Sequence, residues 1–255
     1  MRILFLGNNW VGWQVAKWLK EQDEHIVGLV IHPPEKQKYR DEIVKSAQVD
    51  PAHTFNGSQL IQHETLNKIE ALQPDIGLSV LFGYVLEPEF LDLFPVGVVN
   101  LHPAYLPYNR GAYPNVWSIV EGTPAGATMH YIDAGIDTGD IIAQRKVQVG
   151  PTDTGETLYR KLEEACVGLF KQTWPLVRSG QAPRVSQREE AGTYHRAKDV
   201  RDIDCIDLDK EYKARELIDI VRARTFPPYF GAYFIHQGQK VYLRLSLFYE
   251  EQLNE

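Results

Sequence analysis

The sequence predicts an α/β protein: a doubly wound, mostly parallel sheet with a small C-terminal α+β appendage that ends in a β-hairpin. Three observations carry this. Short apolar runs closed by turn residues recur through the first hundred residues. Segments of helical spacing alternate with them, the pattern that right-handed βαβ units impose. After about residue 195 the pattern changes to a polar link, one helix and two alternating runs joined by HQGQK, a hairpin signal.

The elements follow in order. RILFLG is a short apolar run stopped by Gly7, the mark of a buried strand. WQVAKWLKEQ places Val15, Trp18 and Leu19 on one helical face. IVGLVI reads as a second buried strand and EKQKYRDEIVKSAQ as an exposed helix. SQLIQHETLNKIEALQ reads as another helix, with Ser58 as its N-cap. DIGLSVL and VGVVNL are two more buried strands, which makes residues 1–100 a Rossmann-like half. NVWSIVEG is predicted helical, and AGATMHYID and DIIAQRKVQV alternate as paired strands. GETLYRKLEEACVGLFKQTWPLVRSG is a long amphipathic helix ending at Gly180. The Pro183 region marks a boundary, giving a main domain over 1–182 and a small subdomain over 183–255. KARELIDIVRARTF is the helix of that subdomain, and no internal repeat occurs.

Composition narrows the function classes. The 255 residues are 44% hydrophobic and 24% charged, ordinary values for a globular chain long enough to bury a large core. The net charge is −7, with both signs mixed and no basic arm or stripe, which argues against a long nucleic-acid partner. MRILFLGNNW is only briefly apolar and no run reaches the length of a membrane helix, so no leader and no membrane contact are expected. Cys166 and Cys205 stand far apart, which fits a reducing cytoplasm.

Five stretches carry candidate chemistry. GNNWVG sits where dinucleotide folds place GxGxxG but lacks its middle Gly and any GK[ST]. A plain strand–helix turn explains its two Gly. Asn8, Asn9 and Trp10, at a strand's C-terminal end, also fit hydrogen bonding and stacking on a small molecule. In NLHPAYLPYNRGAYP an extended backbone puts Asn100 and His102 on one side and Leu101 on the other. A capping Asn with a structural His is the plain alternative, and the spacing of two at a strand end favours a site. In YIDAGIDTGDI the glycines around Asp137 suggest a turn that presents one carboxylate. The spacing of Asp133, Asp137 and Asp140 is no EF-hand, and no His or Cys cluster supports zinc, so no metal is expected. LFGYVL offers Phe82, Gly83 and Tyr84 as walls for a flat ring system, or as core. RARTFPPYFGAYF sets aromatics beside Arg222 and Arg224, a surface for a base and a pyrophosphate, or a hairpin scaffold or dimer contact.

Taken together, NLHPAYLPYNRGAYPNVWSIVEG and TPAGATMHYIDAGIDTGDII resemble the N10-formyltetrahydrofolate-dependent formyltransferases. The first matches that family's pattern N-x-HP-x-x-LP-x-x-RG-A-x-P. The likeness spans roughly residues 1–180 and is most specific over 100–142. Two departures are mild: Ala104 stands where many relatives have Ser, and Tyr113 varies in type. The tail CIDLDKEYKARELIDIVRARTFPPYFGAYFIHQGQKVYL is similar to that of sugar N-formyltransferases, which act on nucleotide-linked amino sugars of bacterial surface polysaccharides.

The resemblance implies a formyltransferase fold, N10-formyltetrahydrofolate as co-substrate, no metal, and catalysis by Asn100, His102 and Asp137. It implies that Phe82, Gly83, Tyr84, Val85 and Asp133 hold the pterin, that Asn9 and Trp10 face the sugar, and that Arg224 and Tyr229 meet the nucleotide. The acceptor it favours is dTDP-4-amino-4,6-dideoxyglucose, with a 3-amino isomer and a UDP- or GDP-linked sugar left open, and with a homodimer built on the tail. Methionyl-tRNA or water as acceptor keeps the same core. Methionyl-tRNA formyltransferases, however, carry a larger C-terminal barrel and need a polyanion surface that a charge of −7 does not advertise. A nicotinamide oxidoreductase is weakened by the missing GxGxxG, and a binding module by the retained Asn, His and Asp.

Overall fold

The computed structural model describes residues 1–187 and 192–253. In chain order the elements are β1 (Arg2–Gly7), α1 (Asn9–Glu21), β2 (His25–Ile31), α2 (Arg40–Ala47), β3 (Thr54–Asn56), α3 (His63–Ala71), β4 (Ile76–Val80), α4 (Pro88–Leu91), β5 (Gly97–His102) and β6 (Arg110–Gly111). They continue with α5 (Pro114–Val120), β7 (Ala125–Tyr131), β8 (Ile141–Val147), α6 (Gly155–Arg178), β9 (Tyr194–His195), α7 (Arg201–Asp204), α8 (Ala214–Ala223), β10 (Tyr233–His236) and β11 (Gln239–Tyr242).

The main sheet has seven strands in the order β3-β2-β1-β4-β5-β7-β8. From β3 to β5 all pairings are parallel, and β7 and β8 close one side antiparallel. β1 lies between β2 and β4 with helices over both faces, so its run is apolar without alternation. Its side chains still divide by the strand period of two. Ile3 and Phe5 join one core with Val15 and Leu19 of α1 and Phe170 and Trp174 of α6. Leu4 and Leu6 join another with Leu66 and Ile69 of α3 and Phe90 of α4. The chain winds outward one way through β2 and β3 and the other way through β4 and β5. A crevice therefore opens at the C-terminal ends of β1 and β4, the usual ligand position in such sheets.

α6 runs for 24 residues and begins with a reciprocal cap, in which the Thr154 hydroxyl accepts from the Thr157 N–H and the Thr157 hydroxyl accepts from the Thr154 N–H. The C-terminal elements dock beside this start. Arg222 of α8 is buried and donates to the carbonyls of Gly150, at 3.1 Å, and Asp153, at 2.8 Å. A Cβ on Gly155 would lie 2.1 Å from the Ala223 carbonyl oxygen, so only Gly permits this approach. The hairpin turn at Gln237 and Gly238 has positive φ at both residues, the twist that two-residue hairpins require.

Local boundaries differ from the sequence reading in two places. The second helix is only Arg40–Ala47, because Pro33 and Pro34 lead into turns that end at Tyr39 with a φ of 56°. The third helix starts at His63 rather than at Ser58. Asn56 caps a separate 3₁₀ turn there, accepting from the Ser58 N–H at 3.0 Å, so Ser58 lies inside that turn. Among the described residues no helix is long and apolar enough to cross a membrane.

Candidate active site

β5 sets the first two side chains. Leu101 is fully buried in the core below the sheet, and Asn100 and His102 rise together on the other face. The neighbouring antiparallel strand brings His130 opposite Asn100 and Thr128 opposite His102. Asp137 arrives from the β7–β8 connection with a φ of 54°, a left-handed conformation that costs a non-glycine residue about 1 kcal/mol. The turn is built around it. Asp133 Oδ1 accepts from the Gly135 N–H at 3.0 Å and the Thr138 hydroxyl at 2.6 Å. A Cβ on Gly139 would stand 2.0 Å from the Tyr131 carbonyl oxygen, so that position must be Gly.

The four groups converge. His102 Nε2 lies 3.5 Å from Asp137 Oδ2, and His130 Nε2 lies 3.5 Å from Asp137 Oδ1. The Gly111 N–H donates to Asp137 Oδ2 at 2.9 Å. His130 Nδ1 meets the Tyr131 carbonyl at 2.8 Å, which makes Nδ1 the protonated nitrogen of the neutral ring and leaves Nε2 as an acceptor. Asn100 Nδ2 then donates to His130 Nε2 at 3.2 Å and approaches Asp137 Oδ1 at 3.4 Å. Both contacts point the NH2 end of Asn100 into the site. His102 Nε2 is buried and has no hydrogen-bond partner among the described residues, while the ring donates to the Asn109 backbone carbonyl.

Burial pushes the His102 imidazole below its ordinary value. Asp137 pulls it back up, and His130 adds to the fall. Burial alone would raise the Asp137 carboxyl, but His102, His130 and the Gly111 N–H together hold it well below the usual carboxylate range. The site therefore pairs a neutral, lone-pair-bearing imidazole with a firmly ionised carboxylate.

A cavity of about 430 Å³ opens over these groups. Asn100, His102, His130 and Asp137 line its floor. Phe82, Gly83, Tyr84, Val85 and Asp133 are also among its lining residues. Phe82 is itself core, while Val85 is exposed. The loop is braced from beneath by His32, whose Nε2 meets the Phe82 carbonyl and whose ring packs against Phe82 and Tyr84, both at 4.9 Å.

The remaining candidates lie elsewhere. Asn8 is structural: its Oδ1 accepts from the Lys38 N–H at 2.8 Å, and its amide donates to the Lys36 carbonyl at 3.3 Å. Asn9 donates to the Tyr159 hydroxyl at 2.8 Å, outside the cavity lining. Trp10 packs against the main core rather than facing the cavity, because it falls on the inner side of α1. The guanidinium of Arg224 forms a two-contact ion pair with Asp204, at 2.5 and 3.1 Å, with only 15% of its side chain exposed. The pair ties the end of α8 to α7. Tyr229 is half-exposed and takes a hydrogen bond from Lys38 Nζ at 3.2 Å. Through Phe226, 5.5 Å from both rings, it connects to Tyr159 and so to Asn9.

Sequence reasoning missed His130, Gly111 and Lys38. The signal for His130 was its place in AGATMHYID, but only the cross-strand register brings it opposite Asn100. Gly111 acts through its backbone, which leaves no mark of residue type.

A buried His102 flanked by the part-buried Asn100 and Asp137, under a cleft on a Rossmann-like sheet, is an arrangement that can supply a proton acceptor and a hydrogen-bond donor to a developing negative charge. Residues 1–173 match the family model described as formyl transferase, and residues 199–249 match the N-formyltransferase dimerization C-terminal domain. The chain belongs to the formyl transferase family, the N10-formyltetrahydrofolate-dependent one-carbon transferases that its loop pattern resembles. It is 30% identical to a methionyl-tRNA formyltransferase of Acetivibrio thermocellus, over 99% of this chain and 81% of that protein. It spans 63% of the length of several other methionyl-tRNA formyltransferases. The crystal structure of a 4-N formyltransferase from Francisella tularensis superposes with a TM-score of 0.82 at 27% identity, covering 97% of this chain and 98% of that one. PseJ from Anoxybacillus kamchatkensis, solved with UDP-4,6-dideoxy-4-formamido-L-AltNAc and tetrahydrofolate, is 30% identical with a TM-score of 0.57, over 79% of this chain and 89% of its own.

Proposed function

We propose that this chain is a sugar N-formyltransferase that carries a formyl group from N10-formyltetrahydrofolate to the amine of a nucleotide-linked amino sugar. The observation that supports it most is the end-to-end match: 97% of this chain aligns with 98% of the Francisella 4-N formyltransferase, tail included. The acceptor we put first is dTDP-4-amino-4,6-dideoxyglucose, acted on by a cytoplasmic homodimer formed through the C-terminal elements. Within each copy we divide the chain into a catalytic domain, 1–182, and a subdomain, 183–255.

The residues present fit the donor. An unpartnered, buried His102 Nε2 faces a cleft whose volume suits a flat bicyclic ring, walled by Phe82–Val85. Gly83, with a φ of 66° and no neighbour closer than 3.9 Å to a built Cβ, leaves the loop backbone open for ring contacts. N10-formyltetrahydrofolate supplies an activated formyl carbon when bound.

The chain's own groups then divide the work. His102 Nε2 takes the proton released as the neutral amine attacks, because its lone pair is free and its pKa is held low enough to keep it unprotonated. Asn100 turns an N–H toward the oxygen on which negative charge grows, and one such donor is worth about 3 kcal/mol. Asp137 orients His102 and stabilises its imidazolium. His130 fixes the Asn100 amide. Asn9, Tyr159, Lys38 and Tyr229 form the acceptor side, with Lys38 as the cation for the diphosphate in place of Arg224.

A screen of dTDP-, UDP- and GDP-linked amino sugars with N10-formyltetrahydrofolate tests the reading. Formylation of a 4-amino dTDP sugar supports it, and formylation of methionyl-tRNA with no sugar product rejects it. That second activity is favoured by the sequence likeness to the methionyl-tRNA enzymes.

A further inference from the structure

We propose that Gln187 is a positioning residue for Asp137: held by Arg110, its amide fixes the left-handed turn that presents the carboxylate to His102. The inference rests on Asp137 acting with His102 as read above.

Gln187 sits in the connection between α6 and β9, far from Asp137 in sequence. Its Nε2 donates to the carbonyls of Asp137 and Gly139, both at 2.8 Å. Its Oε1 accepts from Arg110 Nε at 3.2 Å and Nη2 at 2.8 Å. A guanidinium only donates and a carbonyl only accepts, so all four partners fix which end of the amide faces which. Arg110 is buried and has this amide as its anchor. The next residue, Gly111, donates its N–H to the Asp137 carboxylate. Arg110 and Gly111 thus grip Asp137 twice, at the carboxylate directly and at the backbone through Gln187.

The grip is itself anchored. The Arg110 N–H donates to the Thr193 carbonyl at 2.9 Å, and the Ala112 N–H to the His195 carbonyl at 2.8 Å. Ser186 donates to Asp140 at 3.0 Å, and Val185 pairs with Ile141. One described flank of the connection therefore closes on the Asp137 turn, and the other on the Arg110–Ala112 segment that grips it. A left-handed Asp relaxes unless its surroundings hold it. Its two oxygens sit 3.5 Å from two imidazoles, where a shift near 1 Å changes the chemistry.

Two variants separate positioning from simple tethering. Gln187→Met keeps the length and removes every polar contact. Gln187→Glu keeps the Arg110 contact and sets an acceptor against two carbonyls. The first readout is the titration of the His102 imidazole by NMR in the free enzyme, which needs no substrate. Asp137 raises that pKa, so displacing the carboxylate moves the titration to lower pH in both variants. The second readout is turnover of dTDP-4-amino-4,6-dideoxyglucose with N10-formyltetrahydrofolate. There kcat falls about tenfold or more, and KM for the donor stays within about twofold. An unmoved His102 titration with wild-type kcat in Gln187→Met overturns the proposal, as does a fall in kcat without any movement of the titration. If Gln187→Met does not fold, Gln187→Glu carries the same comparison. Asp137→Asn runs alongside. If it turns over normally, the reading of Asp137 itself fails. If it collapses while the Gln187 variants behave as wild type, only the positioning role fails.

Discussion

His102 Nε2 lies 3.5 Å from Asp137 Oδ2, is buried, and has no hydrogen-bond partner among the described residues. An unpaired nitrogen in a protein interior is costly unless a ligand completes it. Here it faces the cleft. His102→Ala removes the proton acceptor, and Asn100→Ala removes the donor to the growing negative charge. Each variant should lose about 10²- to 10³-fold in kcat. Circular dichroism should show the fold retained, since neither side chain belongs to the core. Near-wild-type turnover in either would exclude its assigned role.

The acid limb of activity follows from the same pair. The base works only when unprotonated, so the rate falls as pH drops through the His102 pKa. Burial sets that pKa below the ordinary 6.5, and the limb of kcat/KM should lie there. Asp137 raises it, so Asp137→Asn should move the residual limb further toward acid as well as slow the reaction. A limb that moves toward neutral pH in Asp137→Asn would reverse the assigned electrostatics.

Much of this was legible in the residues, and the boundary is physical. Strand alternation alone put Asn100 and His102 on one face and Leu101 in the core, because the period of two is local. The family pattern led to Asp137. His130 was silent, because its partner is set by the register of β5 against β7. The contacts of Trp10 and Arg224 were hidden for a related reason. Residue type suggested stacking and phosphate binding, whereas packing gave Trp10 to the core and Asp204 took the guanidinium. Ser58 is a good cap residue, but Asn56 caps the turn that contains it, and the helix begins later.

The acceptor side has its own test at Tyr159, whose hydroxyl accepts from the Asn9 amide at 2.8 Å. Tyr159→Phe frees Asn9 at the cost of about 1 kcal/mol, roughly a fivefold change. KM for the sugar nucleotide should rise by that factor, with kcat and the donor KM unchanged. Equal effects on donor and acceptor would remove Asn9 from the acceptor side.

Stability rests on the face of the sheet beneath α6. Phe170 is fully buried, stacks on Trp174 at 5.4 Å and meets Trp18 edge-on at 5.6 Å. Phe170→Ala should cost about 3–5 kcal/mol in urea unfolding, since the two flanking tryptophan rings cannot collapse into the space. A loss under about 1 kcal/mol would mean that the interface repacks freely.

The most direct test of the central claim gives one enzyme preparation two acceptors with N10-formyltetrahydrofolate as donor: dTDP-4-amino-4,6-dideoxyglucose and initiator methionyl-tRNA. Product is read by mass spectrometry, with His102→Ala as control. The account predicts an N-formylated sugar nucleotide, absent in the control, and no formylmethionyl-tRNA. Formylmethionyl-tRNA without a formylated sugar would contradict it.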